Sequence, residues 1–168
     1  MNDQEKLIKN FSQIWPEPSK KHPIVIIGTG GIVKDAHLPA YKKAGFEVIG
    51  LYDLDKQKAD QLAKEYNIEN VYDSLESAFA NENCIFDLAL PPATLLEVVE
   101  KLPDNIHAVF QKPLGRTLEE GNKIRKICHK KNIKACMNFQ LRFSPISLPV
   151  YEAIKQNLLG DLVELEVH

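Results

Sequence analysis

From residue 23 onward the chain alternates short apolar runs with helical stretches, and this alternation leaves few folds open. The runs are Ile24-Val25-Ile26-Ile27, Val48-Ile49-Gly50-Leu51-Tyr52, a weak Val71-Tyr72, Phe86-Asp87-Leu88-Ala89-Leu90, His107-Ala108-Val109-Phe110 and Ala135-Cys136-Met137. Strand and helix in alternation is the signature of a parallel sheet covered by helices. The expected class is therefore α/β, a doubly wound parallel sheet of six short strands. Ala59, Leu62, Ala63 and Tyr66 form a helical apolar stripe after Asp55, and Asp73 with Glu76, like Thr117 with Glu120, has capping-box spacing.

Composition narrows the partners. A chain of 168 residues, 44% hydrophobic and 26% charged, can bury one sizeable core. A net charge of −2 gives no basic field for nucleic acid or an anionic membrane surface. The basic residues of helix 117–131 lie at its end and the acids at its start, as the helix dipole favours, with Leu118, Ile124, Ile127 and Cys128 as the buried face. No apolar run approaches the roughly 18 residues that span a bilayer, and residues 1–9 lack the apolar core of a signal peptide, so a cytoplasmic protein is expected. Cys84, Cys128 and Cys136 are widely spaced and contain no CxxC pair, which suggests buried free thiols, with no disulfide framework and no metal site.

Both ends depart from the alternating pattern. Leu7, Ile8, Phe11, Ile14 and Trp15 recur at helical spacing until Pro16 and Pro18 stop them, so residues 1–22 read as an amphipathic arm that docks on its own domain or on a partner subunit. Pro145 to Leu158 reads as a helix ended by Gly160. Val163, Leu165 and Val167 then alternate with Glu164, Glu166 and His168 as in a half-buried antiparallel strand. Such a strand needs sisters, so residues 142–168 are expected to be a crossover helix and the first strand of a truncated second α+β domain, after a dinucleotide-binding domain at 23–141.

The first strand runs into Gly28-Thr29-Gly30-Gly31-Ile32-Val33, which matches G-x-G-x-x-G/A except for Val33 in the last slot. Gly28 is expected to make the tight turn, and Gly30 to let the backbone approach a pyrophosphate at the helix N-terminus; Gly31 adds a bare position. Asp53, 25 residues beyond Gly28 at the end of the second strand, suits the acid that hydrogen-bonds the adenosine ribose hydroxyls. Its charge repels a 2′-phosphate and no Arg follows it, so NAD is preferred to NADP. Asp55 is better placed than Asp53 as a helix cap.

Two further groups lie at carboxyl ends of strands: Leu90-Pro91-Pro92-Ala93-Thr94 and Gln111-Lys112-Pro113-Leu114-Gly115. A lysine in a cleft beside a nicotinamide could hydrogen-bond a substrate hydroxyl or carbonyl, and partial burial there would suit it to acid–base chemistry.

In chain order these residues resemble the glucose-fructose oxidoreductase and inositol dehydrogenase family, Gfo/Idh/MocA. Gly28 to Ile32 with Ala36-His37-Leu38-Pro39-Ala40 resembles its opening loop and first helix, and Tyr52-Asp53 its second strand. Leu90-Pro91-Pro92 resembles its Thr-Pro turn, Gln111-Lys112-Pro113-Leu114 its Glu-Lys-Pro motif, and Asn138 to Pro145, with Arg142-Phe143, its crossover into the second domain. The resemblance implies an NAD(P)-dependent oxidoreductase acting on a sugar, polyol or related hydroxy compound. It places the cofactor on Gly28, Thr29, Gly30, Gly31, Ile32, Asp53, Leu90, Pro91, Gln111, Lys112, Asn138 and Arg142, and makes Lys112 the catalytic lysine. His37 falls on a helix position, as a packed or capping histidine.

The sequence departs from the family pattern at three of these places. Gln111 stands for the usual Glu and weakens the electrostatic partner of Lys112, Leu90 stands for Thr, and Leu95 stands where His is frequent. The family's Asp and His acid–base pair belongs to its second domain, so the chain alone is expected to bind NAD(H) with little turnover. Two other classes stay open: a non-catalytic NAD sensor or scaffold, and a homo-oligomer that associates through residues 162–168.

Overall fold

In the computed structural model, which describes Trp15 and residues 17–166, the chain divides into two compact units. The larger, Lys20–Asn138, holds the sheet; the smaller takes in Phe139 onward with the described residues before Lys20.

In the larger unit β1 (Ile24–Ile27) leads through the glycine loop and a five-residue π turn (Val33–His37) into α1 (Leu38–Ala44). There follow β2 (Val48–Tyr52), α2 (Lys56–Tyr66), the short β3 (Asn70–Val71) and α3 (Leu75–Phe79). The second half runs β4 (Ile85–Leu88), α4 (Pro92–Lys101), β5 (His107–Phe110), α5 (Leu118–Lys130) and β6 (Lys134–Met137). All strands are parallel, in the order β3-β2-β1-β4-β5-β6. This is the Rossmann order, and it reverses between β1 and β4; there the connections leave toward opposite faces and open a crevice at the carboxyl edge.

Both faces of the sheet centre are covered, as the expected double winding requires. Val25 and Ile27 pack with Phe86, Leu88, Val99 and Ile124 on one face. Ile24 and Ile26 pack with Val33, Leu38, Leu51 and Leu62 on the other. Each large side chain buried this fully contributes about 1.5–3 kcal/mol. Val33, where a smaller residue fits the motif, is wholly buried on this second face and opens the π turn.

Helix ends obey local chemistry. The Asp55 carboxylate caps α2 by accepting from Lys58 N at 3.3 Å, and Thr117 caps α5 by accepting from Glu120 N at 3.2 Å. Asn67, Asn83, Asn105 and Asn132, with φ of 55°, 57°, 61° and 52°, turn the chain after α2, α3, α4 and α5. Asparagine tolerates this left-handed region because its short polar side chain can hydrogen-bond locally.

Several details differ from expectation. α3 is capped by Ser74 and Ser77 reciprocally, because Ser77 sits at the third helical position; Asp73 pairs with Lys56 instead. β4 stops at Leu88, since Ala89 and Leu90 bend away toward the prolines that open α4. The third strand is Asn70–Val71, and the Tyr72 ring beyond it fills the space where Gly50 has no Cβ. Leu118 is exposed because it shares no helical face with Ile124 and Cys128. Cys84 and Cys128 are buried as expected, but Cys136 is exposed, being on β6, which pairs only with β5.

The smaller unit contains a 3-10 turn (Gln140–Phe143) and α6 (Ser147–Lys155). The Trp15 ring meets Phe143 edge-on, centroids 5.4 Å apart, and lies 6.4 Å from Tyr151. Leu7, Ile8, Phe11 and Ile14 of the expected arm lie outside the described residues. α6 ends before the expected Leu158, because Asn157 turns the chain at φ 55° ahead of Gly160. Of the expected strand, residues 162–166 form no ladder and Val163 and Leu165 are exposed, since alternation alone bonds to nothing without a partner strand; Val167 and His168 lie outside the described residues. Among the described residues no helix is long and apolar enough to cross a membrane.

Candidate functional site

A cavity of about 630 Å³ opens at the carboxyl edge of the sheet, over the ends of β1, β2, β4 and β5. Its walls are mainly apolar, from residues such as Ile27, Ile32, Leu75, Leu90 and Pro91, with Asp53, Gln111 and Lys112 among the polar groups. Apolar walls with a few placed polar groups are typical of cofactor clefts. Main-chain bonds beyond the strand ends hold the rim: Gly28 N donates to Tyr52 O at 2.7 Å, Ala89 N to Ile27 O at 2.9 Å, and Gln111 N to Leu88 O at 3.1 Å.

The loop glycines have different reasons to be bare. Gly28 sits at φ 96°, where a Cβ would come within 2.6 Å of Ala89 O, so the turn itself demands glycine. A Cβ on Gly30 would meet no atom of the chain within 4 Å. Since Gly30 lines the cavity, its missing side chain leaves room for a ligand. At Gly31 a Cβ would make only ordinary contact, 3.8 Å from Asp35.

Asp53 ties the loop to the second strand. Its Oδ2 accepts from Thr29 N at 2.6 Å and from Thr29 Oγ1 at 2.8 Å, and its Oδ1 accepts from Asp55 N at 2.9 Å. An ionised carboxylate has roughly four acceptor sites, so three donors leave capacity for a ribose hydroxyl. Asp55 is the residue that caps α2, so Asp53 is free for this task. Lys56 and Lys58, which follow it, are paired with Asp73 and Asp55.

The Gln111-Lys112 turn closes the opposite rim. Gln111 Oε1 accepts from Lys112 N at 2.8 Å. Lys112 stands exposed on the rim, without the burial expected of it, and the Lys112-Pro113 peptide is cis. Thr29 and Asn138 do not line the cavity: Thr29 is buried behind the loop on Asp53, and Asn138 directs its Nδ2 to His37 Nε2 at 3.3 Å. Arg142 lies exposed on the 3-10 turn of the smaller unit. Leu95 is wholly buried in the core and does not line this cavity, to which α4 contributes Pro92, Thr94, Glu97, Val98 and Lys101.

His37 has buried partners. Asp87, in the middle of β4, is 1% exposed; its Oδ2 lies 2.7 Å from His37 Nδ1 and accepts from Tyr41 OH at 2.8 Å. Gln111 Nε2 approaches His37 Nε2 at 3.1 Å. Burial, and then the charge and hydrogen bond of Asp87, push the Tyr41 phenol far above its ordinary value, so it remains a donor. The signal was available: an Asp inside an apolar strand run needs partners, and His37 and Tyr41 are four residues apart on one helical face.

The sequence pattern of the family described as "Oxidoreductase family, NAD-binding Rossmann fold" matches residues 23–139. The chain belongs to this family. Among curated relatives, a glucose-6-phosphate 3-dehydrogenase of Bacillus subtilis is 29% identical over 150 residues, which is 86% of this chain and 41% of that protein. An oxidoreductase of Thermotoga maritima superposes with a TM-score of 0.72 at 25% identity, over 84% of this chain and 45% of its own. The WlbA dehydrogenase of Bordetella pertussis, solved with NADH and UDP-GlcNAcA, shares the fold with a TM-score of 0.69 at 21% identity, over 84% of this chain and 44% of its own. The chain thus spans about two fifths of the length of the curated relatives it matches.

Proposed function

We propose that residues 23–141 form the nicotinamide dinucleotide-binding domain of an oxidoreductase of the sugar and polyol dehydrogenase type, with NAD preferred to NADP. The observation that carries this reading is the cavity at the β1/β4 reversal, where Gly30 is bare with no packing reason and Asp53 keeps acceptor capacity. The family match supports the same cofactor class.

In this reading the pyrophosphate lies against Gly28, Gly30, Gly31 and Ile32 at the start of the helix, where main-chain N–H groups and the dipole favour an anion. Asp53 takes the adenosine ribose, and its charge, with Lys56 and Lys58 already paired, disfavours a 2′-phosphate. Leu90 and Pro91 wall the cavity, and Gln111 hydrogen-bonds the nicotinamide ribose. Lys112 steers the hydroxyl of a small sugar-like substrate and helps hold that ribose. The bound dinucleotide supplies the hydride acceptor; the chain's own groups bind and orient it and keep water from its apolar side. Turnover needs a further proton acceptor from a second domain, to which residues 142–168, with Arg142, form the entry.

Calorimetric titration with NADH and NADPH tests the reading. NADH should bind, and NADPH should bind about tenfold more weakly or worse, as a phosphate beside an unneutralised carboxylate requires. Binding of neither would leave a scaffold. Equal binding of both would remove Asp53 as the discriminating acid. NADH binding without turnover by a chain that carries a second domain would favour a sensor, the reading that the uncharged Gln111 supports.

A further inference from the structure

The buried polar chain behind the cavity ends on the residues of the proposed site, and its hydrogen-bond directions follow from its chemistry. Asp87 is acceptor-only on Oδ2, where it meets Tyr41 OH and His37 Nδ1. A proton therefore sits on His37 Nδ1. At the other end Gln111 Oε1 is already engaged by Lys112 N at 2.8 Å, so the Gln111 amide nitrogen is the group that faces His37 Nε2, at 3.1 Å. The Asn138 amide nitrogen approaches the same ring atom at 3.3 Å. The Gln111 amide donor, its orientation fixed by the Lys112 bond, requires a bare lone pair on Nε2, and Asn138 Nδ2 suits the same atom. The arrangement accepts the neutral Nδ1–H imidazole and excludes the other tautomer and the imidazolium.

We propose that His37 is a positioning residue for the Gln111-Lys112 turn: Asp87 sets its tautomer, its bare Nε2 holds the Gln111 amide in one orientation, and the amide oxygen thereby holds the main chain of Lys112 at the cavity rim. The proposal rests on the dinucleotide reading only for its consequence at the site; the order of hydrogen bonds stands without it. It also gives Gln111 a positive role. A carboxylate at position 111 has no proton to give Nε2, so it would draw one onto the ring and leave an imidazolium between two acids. With Gln111 the relay is neutral at this end, and its one acid is Asp87. Its Oδ1 is buried and accepts no hydrogen bond, so the charge depends on the His37 and Tyr41 donors at Oδ2. A further titratable group that feels this charge is Cys136, whose thiol is pushed up by partial burial and then by Asp87.

The test is a proton–nitrogen correlation spectrum of the histidine rings in the 168-residue chain at neutral pH, with hydrogen exchange read at the Lys112 amide. In the unmodified chain His37 should carry its proton on Nδ1 alone, and Gln111→Glu should protonate both ring nitrogens. Gln111→Met and His37→Gln should each speed exchange at Lys112 by about tenfold, the loss of one hydrogen bond. A proton on Nε2 in the unmodified chain would overturn the proposal, and that measurement needs no variant to fold. An unchanged ring in Gln111→Glu, or unchanged Lys112 exchange in the folded variants, would overturn it as well. NADH titrated in parallel separates the two readings. If NADH fails to bind while the ring is Nδ1–H, the dinucleotide reading falls alone; if NADH binds while Nε2 carries the proton, the His37 proposal falls alone.

Discussion

At the scale of single residues, the glycine loop separates what the fold needs from what a ligand needs. Gly28→Ala would place a Cβ 2.6 Å from Ala89 O at a φ of 96°. It should cost about 1–3 kcal/mol in urea unfolding and abolish NADH binding. Gly30→Ala meets no atom of the chain, so it should unfold at the wild-type urea concentration yet weaken NADH binding about tenfold, because the lost space is the ligand's. If Gly30→Ala bound NADH as tightly as wild type, the pyrophosphate would have to lie elsewhere. Asp87 is the corresponding case in the core. Asp87→Asn exchanges a charged acceptor of two donors for an amide whose N–H groups have no acceptor beside the orphaned Oδ1 position. Unfolding should show a loss of about 2–3 kcal/mol.

At the scale of elements, short parallel strands are held by helices whose ends are closed locally. α5 shows the division of labour: Thr117 caps it, Glu119 and Glu120 fill its first turn, and Ile124 and Cys128 bury its inner face. Thr117→Ala should cost about 1 kcal/mol by urea melt, the value of one cap. Neutralising the exposed Lys123–Glu119 pair on the same helix should leave the melt unchanged, since solvent screens it. Asn67 makes a second test. At φ 55°, Asn67→Ala should cost about 1 kcal/mol and Asn67→Gly should not, because glycine alone among replacements enters this region freely.

At the scale of the whole molecule, burial ties stability to alkaline pH. Burial pushes the Cys84 thiol up to about 11 and raises Cys128, and Tyr41 lies far above its ordinary value. In each the folded form keeps a proton that the unfolded chain releases earlier. Their contribution is full below the unfolded values, 9.0 for the thiols and 10.0 for the phenol, and is lost as pH rises through the folded ones. The urea midpoint should therefore fall above about pH 9 at constant slope, and Tyr41→Phe should flatten the steeper part above about pH 10. A midpoint that stays level through this range would show that these groups titrate alike in both states. In the folded chain a thiol reagent should modify Cys136 before the buried Cys84 and Cys128.

Periodicity and short-range chemistry were enough to derive the α/β class and the parallel sheet, because each depends on neighbours within a turn or a strand; the family was legible only from the resemblance of several motifs in chain order. The same locality explains the small misplacements. Ser74 and Asp73 are both competent caps, and α3 starts after Ser74, where Ser77 at the third helical position returns the bond. The alternation at 162–166 is strand chemistry that makes no ladder without a partner strand. The sequence signalled that Asp87 needs donors, but only the tertiary structure brought His37 to it. They stand 50 residues apart in the chain and meet only because β4 lies beside β1, which brings the helix after the glycine loop over the middle of the fourth strand. A buried charge must find donors wherever the fold brings them, and periodicity does not encode that pairing.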